Sequence, residues 1–114
     1  MKIEKFEDII AWQKAKELTI SVYKEFADIK DFGFKDQIQR ASASIMNNIA
    51  EGFERKSNKE FGHFLFIAKG SCGEVRSMLY LALDLEYVNE EQYEKYYNLS
   101  IEIAKLLSGL IKTL

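Results

Sequence analysis

The chain has 114 residues, 47% of them hydrophobic and 30% charged, with 16 basic and 18 acidic residues and a net charge of −2. This composition excludes an intrinsically disordered chain, and the slight acidic excess argues against a strongly basic nucleic-acid binder. The length suits one domain, which we expect to span 1–114. The single cysteine excludes a disulfide framework within one chain.

No apolar run reaches the ~20 residues that a membrane span needs, and the N-terminal residues are too acidic for a signal peptide. We therefore expect a cytoplasmic protein that makes no contact with a membrane.

The sequence contains no proline, so breaks between helices have to come from glycine, capping residues and lapses in hydrophobic spacing. Apolar residues recur at steps of three and four from about Asp8 to Ala27, which predicts a first helix. The pattern lapses before Gly33, where we expect a turn that uses the positive φ available to glycine. A second helix is predicted from about Lys35 to Arg55.

The third helix has the clearest start, because Ser57 and Glu60 have the spacing of a capping box. Helical apolar spacing then continues from Phe61 to Leu85. A fourth helix follows Asn89, which forms a similar box with Gln92, and continues to the C-terminus. Four amphipathic helices with short loops predict an all-α, antiparallel up-and-down four-helix bundle. The alternative is a long helical hairpin with flanking helices that completes its core only in an oligomer.

The residue types that support catalysis or metal binding are scarce. His63 is the only histidine and Cys72 the only cysteine, and their separation of nine residues keeps one helix from bringing both to one ion. A nucleophile–base pair would have to depend on His63 alone. We expect no enzymatic activity, no metal, no cofactor and no small-molecule substrate, with His63 on the surface and Cys72 in the core.

One face of the second helix is polar and is a candidate contact surface. Its residues are Arg40, Ser44, Asn47, Asn48, Glu51 and Arg55. A solvated helix face favours Lys, Glu and Gln, whereas Ser and Asn are poorer helix formers. The face is therefore either solvated or a set of hydrogen-bonding groups directed at another subunit or a ligand.

The third helix is apolar on more than one side. Its residues outside the main stripe are Phe66, Ile67, Met78 and Leu81. Its small residues align on one stripe, formed by Gly62, Gly70, Gly73 and Ser77. Each internal glycine costs a helix roughly 0.5–1 kcal/mol, so this stripe predicts close approach of another backbone, within the bundle or from a neighbouring copy. On the fourth helix, Leu99 and Leu106 lie beside the core stripe. With Phe66 they are candidate subunit contacts, and we expect a homo-oligomer.

The second helix also carries a recognisable motif, Asn48-Ile-Ala-Glu-Gly-Phe53. Related matches extend back to Trp12 and Ala15 and forward to Glu74. In this pattern the chain resembles the four-helix bundle proteins first noticed in intervening sequences of bacterial 23S rRNA genes. It departs from them between Phe26 and Asp31, where the family often has proline. The resemblance implies an up-and-down bundle that assembles as a homopentamer. It also relates the chain to basic, pentameric proteins of diversity-generating retroelements that bind nucleic acid and reverse transcriptase.

Two functions follow as expectations. The first is a non-enzymatic, self-assembling interaction scaffold, and the alternative is an RNA- or ribosome-associated binding protein. The only segment with a basic surplus is 29–56, which has five basic and four acidic residues. Folding would have to cluster its cations to make a phosphate track. Those cations are Lys30, Lys35, Arg40, Arg55 and Lys56.

Overall fold

Four α-helices account for most of residues 3–114, the part of the chain that the computed structural model describes. A short 3₁₀ helix over Phe6–Asp8 comes first, and the helices are α1 (Ile10–Glu25), α2 (Phe32–Phe53), α3 (Asn58–Asp84) and α4 (Glu90–Lys112). No β-strand occurs in this range. The predicted all-α fold is confirmed.

The helices pack in the order in which they occur along the chain. Each contacts its successor, α1 also contacts α4, and the diagonal pairs α1–α3 and α2–α4 make no comparable contact within the described residues. Short connections place successive helices antiparallel. The result is an up-and-down bundle of 42 × 23 × 19 Å.

The core is built from one apolar stripe on each helix. Leu18, Ile45, Leu79 and Ile103, one from each helix, have no solvent exposure. Because these stripes already close the core within one chain, the alternative of a hairpin that needs an oligomer to complete its core is wrong.

The start of α2 differs from the sequence-based expectation. The Asp31 side chain accepts a hydrogen bond from the Phe34 backbone N–H at 3.1 Å, so the helix begins at Phe32 rather than Lys35. Gly33 therefore lies in the first helical turn, and its predicted positive φ is wrong. The left-handed residue is instead Glu86, with φ of 62°, in the turn between α3 and α4.

That turn is a Schellman motif, which ends α3 with two backbone hydrogen bonds. The Tyr87 N–H donates to the Ala82 carbonyl at 2.8 Å and the Glu86 N–H donates to the Leu83 carbonyl at 3.0 Å. The Tyr87 hydroxyl also donates to Asp31 at 2.7 Å. The turn is thereby tied to the start of α2, and this hydrogen bond and the one from Phe34 lower the pKa of Asp31.

The two predicted capping boxes form to different extents. Ser57 accepts from the Glu60 N–H at 3.2 Å, but the Glu60 carboxylate faces the Ser57 hydroxyl and not its backbone N–H. Only half of that box is present. At α4 both hydrogen bonds form, from the Gln92 N–H to Asn89 at 2.8 Å and from the Asn89 N–H to Gln92 at 3.1 Å.

A close approach of two helices occurs at Gly52, where the motif on α2 meets the start of α3. A Cβ atom added to Gly52 would lie 2.6 Å from the Phe64 Cβ and 3.1 Å from the Phe61 Cδ1. Any side chain would therefore push α3 away. Gly52 allows the first turns of α3 to pack directly on the α2 backbone.

Candidate functional site

The polar face of α2 is divided by its contact with α3. The Ser44 hydroxyl lies 3.0 Å from the Ser71 hydroxyl on α3, and the Asn48 amide donates to the Ser44 hydroxyl at 2.9 Å and to the Ser44 carbonyl at 2.8 Å. These groups are partly buried and partner one another. Ser44 therefore joins α2 to α3 through Ser71, and Asn48 supports Ser44 from within α2.

The other candidate residues of this face are exposed. Arg40 pairs with Asp36 at 2.9 Å, and Arg55 pairs with Glu51 at 3.2 Å. Asn47 is exposed between the two pairs. Both arginines thus have an acidic partner one turn away, as on a solvated helix face.

The basic residues of segment 29–56 do not form a phosphate track. Besides the two paired arginines, Lys35 donates to the Ala27 carbonyl at 3.1 Å and its ammonium lies 5.2 Å from the centre of the Phe32 ring. Folding could have clustered all five cations, but local partners hold three of them, so the five do not form one free cationic surface.

The outer side of α3 carries an apolar surface. Phe66, Ile67 and Leu81 are 58%, 40% and 45% exposed, and at 100° per residue they lie within an arc of about 100°. We call these three residues the α3 surface. Met78, which the sequence placed with them, is buried instead.

The glycines of the α3 stripe are not contacted by another backbone among residues 3–114. Nothing lies within 4 Å of a Cβ added at Gly70, and only the Arg76 Nη2, at 3.7 Å, approaches one added at Gly73. At Gly62 the nearest atom is the Leu114 Cδ1 at 3.8 Å. The expected close approach within the bundle is therefore wrong. The other half of that expectation, approach by a neighbouring copy, stays a prediction.

Leu99 and Leu106 lie apart from Phe66. Both are half-buried against the core. Leu106 lines a depression of about 340 Å³ between α4 and the start of α1, together with Ile10 and Leu110. The structure therefore does not bring the three predicted apolar contact residues together on one surface.

A basic groove between α3 and α4 emerges only in the folded chain. It has a volume of about 460 Å³, and its rim carries four cations, Lys69, Arg76, Lys105 and Lys112. Its remaining lining is uncharged, with Ile101 and Ala104 among the apolar residues and Ser108 as a hydroxyl donor. We call it the α3–α4 groove. Segment charge totals conceal it, because 57–86 and 87–114 each sum to −1.

Arg76 is the unusual member of this groove. Arg76 as a whole is half-buried. Its Nη1 atom is fully buried and has no hydrogen-bond partner within the described residues. A buried guanidinium nitrogen that lacks a partner costs stability. Its neighbourhood includes Tyr97, whose pKa is raised chiefly by the Tyr80 hydroxyl, while the Arg76 charge opposes that rise.

Three tyrosines lie along the contact between α3 and α4, beyond Arg76 towards the C-terminal end of α3. The ring centres of Tyr80, Tyr93 and Tyr97 lie 5.5–5.8 Å apart. Tyr80 follows Arg76 by one helical turn and is 53% exposed. The α3–α4 groove therefore adjoins an accessible aromatic side chain.

His63 and Cys72, the candidate residues for catalysis or metal binding, do not share a site. His63 is exposed, whereas Cys72 is fully buried and burial raises the pKa of its thiol to about 12. Among residues 3–114, no three His, Cys, Asp or Glu side chains gather as a metal site would require. In the same range, no helix is long and apolar enough to cross a membrane.

Comparisons with known proteins agree with the fold. No curated protein matches the sequence. A crystal structure of a protein with unknown function from the S23 ribosomal protein family, from Bacteroides thetaiotaomicron, is 34% identical and superposes with a TM-score of 0.85. That match covers 90% of this chain and 99% of the other. The model of the 23S rRNA-intervening sequence protein family matches residues 7–109. The chain belongs to the 23S rRNA-intervening sequence protein family.

Proposed function

We propose that the protein is a non-enzymatic scaffold that works by assembling with copies of itself. The observation that carries this proposal is the α3 surface, where three large apolar side chains stand exposed beside glycines that no backbone of the described residues approaches. Phe66 and Leu81 are about 22 Å apart along the helix, so the surface is a row of apolar side chains with small residues between them. Large exposed apolar side chains that share one face are typical of a partner contact. Covering it yields ~25 cal/mol per Å², from which the ordering costs of association are subtracted.

A second surface, on α1, suits a second copy as the partner. Ile20 and Tyr23 are 45% and 46% exposed, and the exposed Lys16 and Lys24 lie within the same arc of about 100°. We call these four residues the α1 surface. It is apolar and flanked by positive charge.

The α3 surface has the complementary charge. Glu74 and Asp84 are exposed within its arc, and the exposed Lys59 lies in the same arc two turns before Phe66. Because α1 and α3 are diagonal in the bundle, the two surfaces face different directions. Contact between the α3 surface of one copy and the α1 surface of the next is heterologous, and such contacts form a ring when the rotation closes. The proposed number of subunits, five, comes from the family resemblance stated above.

Light scattering tests this assembly. We expect a mass of five times 13.2 kDa for the native chain, and monomers for Leu81→Glu on α3 and for Ile20→Glu on α1. Phe32→Glu is the matched control, because Phe32 is 68% exposed but lies outside both surfaces. A monomeric native chain at micromolar concentration would overturn the proposal.

Mixing the two variants tests the direction of the contact. Leu81→Glu keeps an intact α1 surface and Ile20→Glu keeps an intact α3 surface, so at high concentration the mixture should form a one-to-one dimer that cannot close into a ring. If Ile20→Glu instead retains the native mass, the contact is not between α1 and α3.

The second candidate function is RNA or ribosome association, which the description of the family as a 23S rRNA-intervening sequence protein favours. We infer no contribution from segment 29–56, since local partners hold three of its five cations. A fluorescent fragment of 23S rRNA tests the function by titration at several salt concentrations. Binding through phosphate contacts weakens steeply with salt, and an absence of binding at low salt would refute this function.

A further inference from the structure

The cations of α3 and α4 are distributed very unevenly. The two helices contain six basic residues, and four of them line the α3–α4 groove, whereas none of their seven acidic residues does. On a chain with a net charge of −2, this concentration of like charge produces a local positive potential that attracts anions. The groove is therefore suited to a negatively charged ligand.

The dimensions of the groove indicate an extended ligand. Lys69 and Arg76 are seven residues apart on α3, and Lys105 and Lys112 are seven residues apart on α4, so each pair spans about 10 Å along its helix. Two antiparallel rows of cations separated by an apolar floor match a chain of several phosphates better than one small anion. Ser108 adds a hydroxyl donor between the rows.

Arg76 supplies the anchoring group. Its Nη1 atom is buried and unpartnered within the described residues, and its Nη2 atom lies beside Gly73, 3.7 Å from the position that a Cβ would take there. A guanidinium binds phosphate through two parallel hydrogen bonds. Because Nη1 is buried, the guanidinium has to turn outward to place this nitrogen on an incoming phosphate, which would give it the partner that the described residues do not supply.

Tyr80 distinguishes between kinds of phosphate chain. It lies one turn beyond Arg76 on the same side of α3, and its ring is 53% exposed while Tyr93 and Tyr97 support it from α4. Single-stranded nucleic acids are held by a positive groove that follows the backbone and by aromatic rings on which bases stack. In a duplex the bases are not available for such stacking.

We propose that the α3–α4 groove binds a single-stranded nucleic acid, with Arg76, Lys69, Lys105 and Lys112 on its phosphates and Tyr80 stacked on a base. This inference rests on the second candidate function, RNA association, and names its site and the form of the strand. It does not depend on the self-assembly of the chain.

Fluorescence anisotropy with a labelled uridine 12-mer tests the site. Four phosphate contacts predict a slope of about −2.8 for the logarithm of the binding constant against the logarithm of the salt concentration. Arg76→Gln and Lys105→Gln should each reduce that slope by about 0.7, and Arg76→Gln should weaken binding about tenfold. Lys95→Gln is the matched control, because it removes one charge from α4 outside the groove and should leave the slope unchanged.

Tyr80 is tested by two substitutions and by a duplex. Tyr80→Ala should weaken binding of the 12-mer by about fivefold or more, while Tyr80→Phe, which keeps the ring, should bind like the native chain. A 12-base-pair duplex should bind more weakly than the single strand. Equal binding of the duplex and indifference to Tyr80→Ala would overturn the stacking.

Circular dichroism and light scattering on each variant separate loss of the site from loss of structure. Removing a buried, unpartnered charge predicts that Arg76→Gln folds at least as stably as the native chain. If Arg76→Gln lowers the assembled mass instead, its partner is a carboxylate of another copy and the proposal is wrong. If the strand binds but none of the groove substitutions alters binding, the site is wrong while RNA association stands. If the native chain binds no strand at low salt, both are wrong.

Discussion

Gly52→Ala measures how closely α3 packs on α2. The new Cβ would lie 2.6 Å from the Phe64 Cβ, whereas carbon atoms in contact are about 3.5–4.0 Å apart, so the start of α3 has to move away by about 1 Å. Such overpacking costs about 1–3 kcal/mol, and alanine returns about 1 kcal/mol through its better helix propensity. We expect a net loss of up to about 2 kcal/mol in the free energy of unfolding.

Urea denaturation followed by far-ultraviolet circular dichroism, at one protein concentration, is the appropriate assay. Gly109→Ala is the matched control, because nothing lies within 4 Å of a Cβ at that helical position and the substitution should raise the stability by about 0.5–1 kcal/mol. If Gly52→Ala is as stable as Gly109→Ala, the missing side chain at Gly52 does not determine the spacing of α2 and α3.

Burial raises the pKa of the Cys72 thiol to about 12, above its value of about 8.5 in the unfolded chain. The folded state should therefore lose up to about 1.4 kcal/mol per pH unit as the pH rises from about 9 towards 12, a slope that Cys72→Ala should lack in pH-dependent denaturation. Tyr96→Phe removes the 2.6 Å hydrogen bond from the Tyr96 hydroxyl to Glu25, which joins α4 to the end of α1, and should cost about 1 kcal/mol by urea denaturation; an unchanged midpoint would contradict that role. Ser57→Ala should cost about 0.5–2 kcal/mol through loss of the α3 cap, and no change would mean that α3 has no need of this hydroxyl. Glu86→Gly should raise the melting temperature, since glycine adopts φ of 62° without the penalty of about 1 kcal/mol that a side chain incurs; a lower melting temperature would contradict the assigned strain.

The spacing of the apolar residues determined the number and type of the helices. Residues at steps of three and four share one face only in an α-helix, so only a helix can bury them together. The capping residues Ser57 and Asn89 placed the starts of α3 and α4, because their hydrogen bonds are local. The lapse in spacing before Gly33 predicts a start of α2 three residues too late, because the cap residue is Asp31 and Gly33 lies in the first turn. A helix start is visible in the sequence when the correct capping residue is identified.

The contacts between helices were decided only by the tertiary structure. Gly52 belongs to the α2 motif, but its role depends on the distance to Phe64, which no local pattern encodes. Its position within the buried stripe of α2 is the available signal, because glycine there weakens a helix without filling the core.

The charge of the α3–α4 groove is also decided by tertiary structure and cannot be read from the sequence. Lys69 and Lys112 are 43 residues apart in sequence and line one cavity because α3 and α4 pack antiparallel. Net charge along a segment counts residues on all sides of a helix, whereas a groove collects one side of each of two helices. The sequence by itself therefore determined the helices and their core stripes, and the packing of α3 on α4 decided which of their cations share a surface.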